Sequence, residues 1–294
     1  MRDYTKYQNY PQELPADISP LHRQLLSAID ATTEGVRGHY SLYVSFPQLA
    51  GPALLYEPRV MRSASMIKVF ILGAAVEQLA AERLSLSQEI RLTEENRLNV
   101  ADSAGSIERM LLGTRLSLER VLRLMITESD NSATNMLIDC LGMDGINDYC
   151  RRRGYTETVL KRRMMDFAAA AEGKENLTSA RDLGLFFERL FIESEVGDRW
   201  AAFMKRLLLL QTDVSVLPRA LPGAWIAHKT GELDGLYHDG GIIEGADGPA
   251  IVVLLSDGLP DEAANKVTLQ ELGLNMYLTL RLAKAGLLAD EGGK

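Results

Sequence analysis

Between residues 40 and 46, two kinds of side chain alternate. Tyr40, Leu42, Val44 and Phe46 fall on one side, and Ser41, Tyr43 and Ser45 on the other. A period of two predicts a strand with two distinct faces. A second short strand is expected at Ala53–Tyr56. Ahead of both, Leu21, Leu25, Leu26 and Ile29 recur at helical spacing behind Ser19 and Pro20, residue types that begin helices. Past residue 60 the helical period takes over. Ser65 opens a run rich in Ile, Leu, Ala and Gln that reaches about Arg83. Ser117 caps a helix through Met125. Further helices follow from Asn131 to Gly142 and from Met143 to Arg153. The stretch from Met164 to Leu177 has little period and reads as a long loop. Thr178 or Ser179 then caps a helix carrying Leu183, Leu185, Phe187 and Leu190, and Trp200, Phe203, Met204 and Leu207 mark another. Strands return at Trp225–Thr230, Tyr237–Ile243 and Ala250–Ser256, separated by glycine turns. A last helix spans about Asp261 to Ala285.

The order is therefore helix, strands, many helices, strands, helix. It predicts an α/β (α+β) fold: an antiparallel sheet flanked by the terminal helices, with an all-helical part inserted between the two sheet halves. The boundaries are an irregular leader over 1–18, a sheet-containing domain from 19–60 plus 215–294, and a helical domain over 61–214. The cleft between the domains is the expected place for a site.

Composition narrows the function. The chain has 294 residues, 46% hydrophobic and 24% charged, enough for a sizeable core. A formal net charge of -8 argues against a nucleic-acid partner, which needs a basic footprint. No apolar run approaches the roughly 20 residues of a membrane span. The start, Met1-Arg2-Asp3-Tyr4, carries no apolar core of a secretory signal, so the protein is expected either to be cytoplasmic or to have lost its signal. Cys140 and Cys150 are expected to be free thiols rather than a pair, because disulfide frameworks show more cysteines. His22, His39, His228 and His238 are scattered, without metal-ligand spacing, so neither a metal nor another cofactor is expected.

Three short motifs carry the chemistry. Ser65-Met66-Ile67-Lys68 puts a hydroxyl and an amine one helical turn apart at a helix start, where free N–H groups and the helix dipole favour an oxyanion and a neutral lysine. Alone, Ser-x-x-Lys is weak; about one match arises by chance in a chain this long. The apolar continuation Val69-Phe70-Ile71-Leu72 anchors the helix in a core and strengthens the reading. Ser129-Asp130-Asn131, between two helices, is either a capping turn or a proton relay with an amide donor. Lys229-Thr230-Gly231 follows Trp225-Ile226-Ala227-His228. It is either a strand entering a turn or a cation, a hydroxyl and an open backbone for an anionic substrate, with the Glu232 N–H beside that of Ser65 as oxyanion donors. The three together, in this order, point to one acyl-transfer site.

With these motifs the chain resembles the class A serine β-lactamase family, within the penicillin-recognising serine hydrolases. The resemblance runs from the first helix to the last and implies a β-lactamase/transpeptidase-like fold. It implies Ser65 as nucleophile, Lys68 and Ser129 as proton carriers, Lys229 as electrostatic catalyst, and Asn131, Thr230, Gly231 and Glu232 as substrate-binding residues. The implied function is β-lactam hydrolysis through a Ser65 acyl-enzyme. The alternatives are a D-Ala-D-Ala peptidase or transpeptidase, another serine acyl hydrolase, or a penicillin-binding sensor or trap that acylates without turnover. The implied partner is a β-lactam or a cell-wall-peptide-like small molecule. The implied setting is secreted or periplasmic, and the chain is expected to be a monomer. Two departures stand out. The family carries a glutamate and an asparagine in the loop before the Thr178 helix; here Met164 and Met165 occupy the glutamate region, alanines follow, and the nearest carboxylate is Asp166, expected either to activate water or to pair with Arg162 or Arg163. The family also places an arginine on the strand next to the Lys229 motif. Here that strand offers His238 and Asp239, expected to face the cleft or to pair at a sheet edge.

Overall fold

The structure is a computed structural model. It describes residues 19–49, 53–99, 105–192 and 197–286. The leader expected over 1–18 lies outside the described residues. In chain order the elements are α1 (Pro20–Thr33), β1 (His39–Ser45), β2 (Leu54–Tyr56), β3 (Val60–Arg62), α2 (Ile67–Ala80), β4 (Glu89–Arg91) and β5 (Arg115–Ser117). Then follow α3 (Leu118–Thr127), α4 (Asn131–Leu141), α5 (Met143–Arg152), α6 (Phe167–Ala171), β6 (Leu177–Ser179), α7 (Ala180–Phe191), α8 (Asp198–Leu209) and α9 (Leu217–Ala220). The chain closes with β7 (Trp225–Leu233), β8 (Leu236–Gly245), β9 (Gly248–Asp257) and α10 (Glu262–Lys284).

Five strands form one antiparallel sheet in the order β2-β1-β9-β8-β7. Its strands alternate in what they bury. Leu42, Val44, Ile226, Tyr237 and Val252 pack with Leu25 and Ile29 of α1 and with Leu269, Leu272 and Met276 of α10. Tyr43, Ala227, Ile242, Ile251 and Val253 face the helical part and join the core built by α2, α3, α4 and α7. The terminal helices thus cover one face and the helical part the other, as the alternation in β1 predicts. At Gly184 in α7 an added Cβ would fall 2.2 Å from the Tyr43 ring, so only glycine lets α7 lie this close to β1.

The predicted caps form. Ser19, Ser117 and Ser179 accept from the N–H groups of His22, Arg120 and Asp182, at 3.2, 3.3 and 3.1 Å. Helix α2 is apolar all round, with every residue from Ile67 to Val76 buried, which makes it the central helix of its core. Four differences from the sequence reading stand out. The supposed loop after Met164 contains the short helix α6. Three-residue strands form two further small sheets, β3 with β6 and β4 with β5. Lys229-Thr230-Gly231 lies inside β7 rather than after a strand. Strand β8 is interior, so His238 and Asp239 are not at an edge; both are fully buried.

Candidate active site

Ser65 lies in a 3₁₀ turn, Ala64–Met66, that runs directly into α2. Ala64 adopts φ 45°, a left-handed conformation costly for a residue with a Cβ. The turn is held from outside: the Ser63 N–H donates to the Asn176 carbonyl at 2.7 Å, and Met66 N–H to Ser63 O at 2.9 Å. Strand β7 presses on it, because a Cβ added at Gly231 would sit 3.1 Å from Met66 and 3.2 Å from both Ala64 and the Ser63 carbonyl. Gly231 therefore lets the edge strand approach the Ser65 turn.

Lys68, in the first turn of α2, is fully buried. Its Nζ donates to Ser129 O at 2.6 Å, to Asn131 Oδ1 at 2.7 Å and to Ser129 Oγ at 3.1 Å. From the other side, Lys229 Nζ donates to the same Ser129 Oγ at 3.0 Å and to Thr230 O at 2.9 Å. One hydroxyl thus bridges two buried amines. Ser129 itself is held at φ 54°, and Asp130 does the capping: its Oδ1 accepts from Ala133 N–H at 2.7 Å and its Oδ2 from Ile107 N–H at 2.9 Å. One motif thus makes both sets of contacts, with Asp130 fixing the turn while Ser129 and Asn131 meet Lys68.

Burial drives the Lys68 ammonium well below its usual range; the charge on Lys229 adds to this, and Asp130 and Glu108 oppose it. Burial also brings Lys229 down to about 7, with Asp213 and then Asp239 opposing. Of the two buried amines, Lys68 is thus pushed strongly toward its neutral form. A neutral amine keeps two N–H groups, enough for Ser129 O and Asn131 Oδ1, and has a lone pair to receive a proton.

The loop is arranged differently. Asn135, one turn along α4 from Asn131, clamps Met164 from both sides: Met164 N–H donates to Asn135 Oδ1 at 2.9 Å, and Asn135 Nδ2 to Met164 O at 3.2 Å. A buried methionine therefore stands next to the face that carries Asn131. Asp166 caps α6, its Oδ1 accepting from Ala169 N–H at 3.0 Å. The arginines expected to pair with it go elsewhere: Arg162 to Glu175 at 3.0 Å, and Arg163 to Asp139. Asn176 braces the loop start, accepting from Lys161 and Arg162 N–H at 2.8 and 3.0 Å.

On β8 the buried His238 accepts at Nδ1 from Ser256 N–H, 3.2 Å, so its Nε2 donates to Arg62 O at 2.9 Å. Asp239 takes His228 Nδ1 at 2.7 Å and Leu217 N–H at 3.0 Å. Both are committed to the interior. The side chain of Glu232 is exposed, and its carboxylate lies 3.7 Å from Lys266 on α10. Among the described residues no group of three or more His, Cys, Asp or Glu could hold a metal ion. Sequence reasoning missed Asn135, Asn176 and Asp213. Only Asn135 left a signal, as a polar residue four positions after Asn131 in an apolar helix.

A mixed sheet-and-helix fold thus holds two buried lysines, one on the central helix and one on β7, about the Ser129 hydroxyl. A family model described as the Beta-lactamase enzyme family matches residues 25–280, and the chain belongs to that family. It is 26% identical over 213 residues to a beta-lactamase of Streptomyces lavendulae, covering 68% of each chain. Among solved structures it is similar to the beta-lactamase from Sphaerobacter thermophilus DSM 20745, with TM-score 0.78 and 25% identity over 88% of this chain and 97% of that one. It is also similar to PBP-A, with TM-score 0.81 and 22% identity over 93% and 99%. No helix among the described residues is long and apolar enough to cross a membrane.

Proposed function

We propose that the protein is a class A type serine hydrolase that opens β-lactams through an ester on Ser65. The single observation that carries this reading is the Ser129 hydroxyl between Lys68 and Lys229, at 3.1 and 3.0 Å. Neutral Lys68 takes the Ser65 proton as Oγ bonds to the lactam carbonyl carbon. The negative charge on the carbonyl oxygen is met by the N–H groups of Ser65 and Glu232. As the C–N bond breaks, Ser129 passes its proton to the lactam nitrogen and takes the one on Lys68. Lys229 and the Thr230 hydroxyl bind the substrate carboxylate, Asn131 the acyl side chain, and Gly231 leaves room for both.

Hydrolysis of the ester needs a base for water. Asp166 is the nearest loop carboxylate, and its Oδ1 is engaged in the α6 cap. This supports deacylation as the slow step, and with it the second reading of a penicillin-binding protein that holds its acyl group. The reading extends to two domains, 19–60 with 215–294 and 61–214, with the cleft between them, and to a monomer acting outside the membrane, where cell-wall amides lie. Intact mass after mixing with penicillin tests it. The expected result is one added penicillin mass on the wild type and none on Ser65→Ala. A wild type that neither carries the adduct nor consumes penicillin, or an adduct surviving in that variant, overturns it.

A further inference from the structure

Gly105, Ser106, Ile107 and Glu108, four consecutive residues ahead of β5, grip the turn that carries Ser129. The Ser106 hydroxyl donates to Glu128. The Ile107 N–H donates to Asp130 Oδ2 at 2.9 Å, and Glu108 Oε1 accepts from the Ser132 hydroxyl at 3.0 Å. A Cβ added at Gly105 would fall 2.4 Å from Asp130 Oδ2 and 2.6 Å from Glu108 Oε2, so the backbone closes directly over both carboxylates. The Ser132 oxygen in turn accepts from the Leu98 N–H at 2.9 Å. These contacts surround a residue that needs them. Ser129 stands at φ 54°, which a residue with a Cβ holds only where its surroundings impose it. Its Oγ also has to stay near both amines, 3.1 Å from Lys68 Nζ and 3.0 Å from Lys229 Nζ.

Two carboxylates in this grip take a side-chain hydroxyl. Glu128 is exposed and Glu108 is buried, and a charge-assisted hydrogen bond is stronger away from water. Ser132 sits in the first turn of α4, three residues after Ser129, so freeing it loosens the turn from its far side. We propose that Glu108 is a positioning residue that acts through Ser132 to hold the Ser129 hydroxyl where it can give its proton to the leaving nitrogen. This rests on the proposed role of Ser129 as proton carrier. A misplacement of about 1 Å costs proton transfer on the order of 100-fold. The cost depends on the leaving group. When the lactam C–N bond breaks, the electron pair goes to nitrogen, which takes the Ser129 proton, and Ser129 takes the one Lys68 received from Ser65. When a thioester C–S bond breaks, the pair leaves on sulfur as a thiolate. A thiol ionises near pH 8.5, at about 8.5 on the pKa scale, so that departure needs no proton.

The test compares kcat/KM for acylation by penicillin and by a thioester of the same acyl group with a carboxylate on its thiol. Ser129→Ala is the control and should lose far more on penicillin than on the thioester. Glu108→Ala should repeat that split, with a loss of about 10- to 100-fold on penicillin and less than about threefold on the thioester. Glu108→Gln should bring penicillin back to within about threefold of wild type, because its amide oxygen still accepts from Ser132. Glutamine lacks the charge that opposes the neutral form of Lys68, so this rescue assigns the effect to position and not to charge. Ser132→Ala removes the same bond from its other end and should show the same split; it stands in if Glu108→Ala does not fold. Equal losses on both substrates, penicillin acylation unchanged in Glu108→Ala, or a glutamine variant as slow as alanine each overturn the inference, and a split that persists in Ser129→Ala then leaves the role of Ser129 standing. No split in Ser129→Ala, or a wild type that neither substrate acylates, removes that role and the inference with it.

Discussion

The head of α2 is tied to the loop 161–177 through Ser63 to Asn176, and α4 holds the same loop through Asn135 to Met164, yet the two regions are built in opposite ways. At the head of α2, side chains from three separate motifs converge on the half-buried Ser129 hydroxyl, and each buried amine has partners. In the loop the residue held beside α4 is an apolar methionine, the carboxylate next to it caps a five-residue helix, and Phe167 is 63% exposed. On the proposed reading, the first region supplies the groups for forming an ester, whereas the second has no carboxylate freed to activate the water that would break it. That reading assigns the two half-reactions to two parts of the chain.

The strongest way to break this contrast is at the nucleophile. Ser65→Ala should lower β-lactam consumption by on the order of 10⁴-fold, because on the proposed reading the cluster's other hydroxyls, Ser129 and Thr230, carry a proton and bind the substrate carboxylate rather than attack. The check is loss of substrate absorbance, and residual consumption within tenfold of wild type rejects Ser65. The contrast sharpens at Met164. Met164→Glu puts a carboxylate where Asn135 holds the main chain, and release of the acyl group should speed up by on the order of 100-fold. Decay of the adduct in intact-mass time courses reads this out, and an unchanged lifetime shows that the missing base is not the fault.

A smaller effect concerns stability. The unfolded chain keeps Lys229 protonated up to about pH 10.4, whereas in the folded protein it loses its proton above about 7. Between those values the unfolded state binds more protons, so this residue's penalty shrinks as pH rises. Lys229→Met should therefore be more stable than wild type by about 1–2 kcal/mol at pH 7, with the margin narrowing toward pH 10. Denaturant melts at both pH values check the sign. The smallest change is expected at Asp166. Asparagine caps helices as well as aspartate does, so Asp166→Asn keeps α6 and removes only the charge. Deacylation should fall by less than about tenfold, against 10²–10⁴ for a well-placed base. A larger loss would make Asp166 the working base.

The parts of the fold that depend on local pattern were legible. Ser19, Ser117 and Ser179 stand just ahead of periodic apolar runs, and each caps its helix. The alternation in β1 marks both sheet faces. The three motifs converge because each sits at an element end or on an edge strand, where side chains from different elements can meet. What was not legible has physical causes. Helix α6 is too short to show a period, and it forms around the Asp166 cap. Three-residue strands such as β3 and β6 cannot display alternation. His238 and Asp239 look like polar edge residues, yet their partners, Ser256, Arg62, His228 and Leu217, come from elsewhere in the chain. Asp213 meets Tyr237 only through the fold.

Stopped-flow mixing with a chromogenic cephalosporin tests the central claim most directly, because it times the two half-reactions separately. A fast burst of one product equivalent per Ser65, followed by a steady rate at least tenfold slower, is the predicted trace. A linear trace from the first turnover, with no burst, would contradict it.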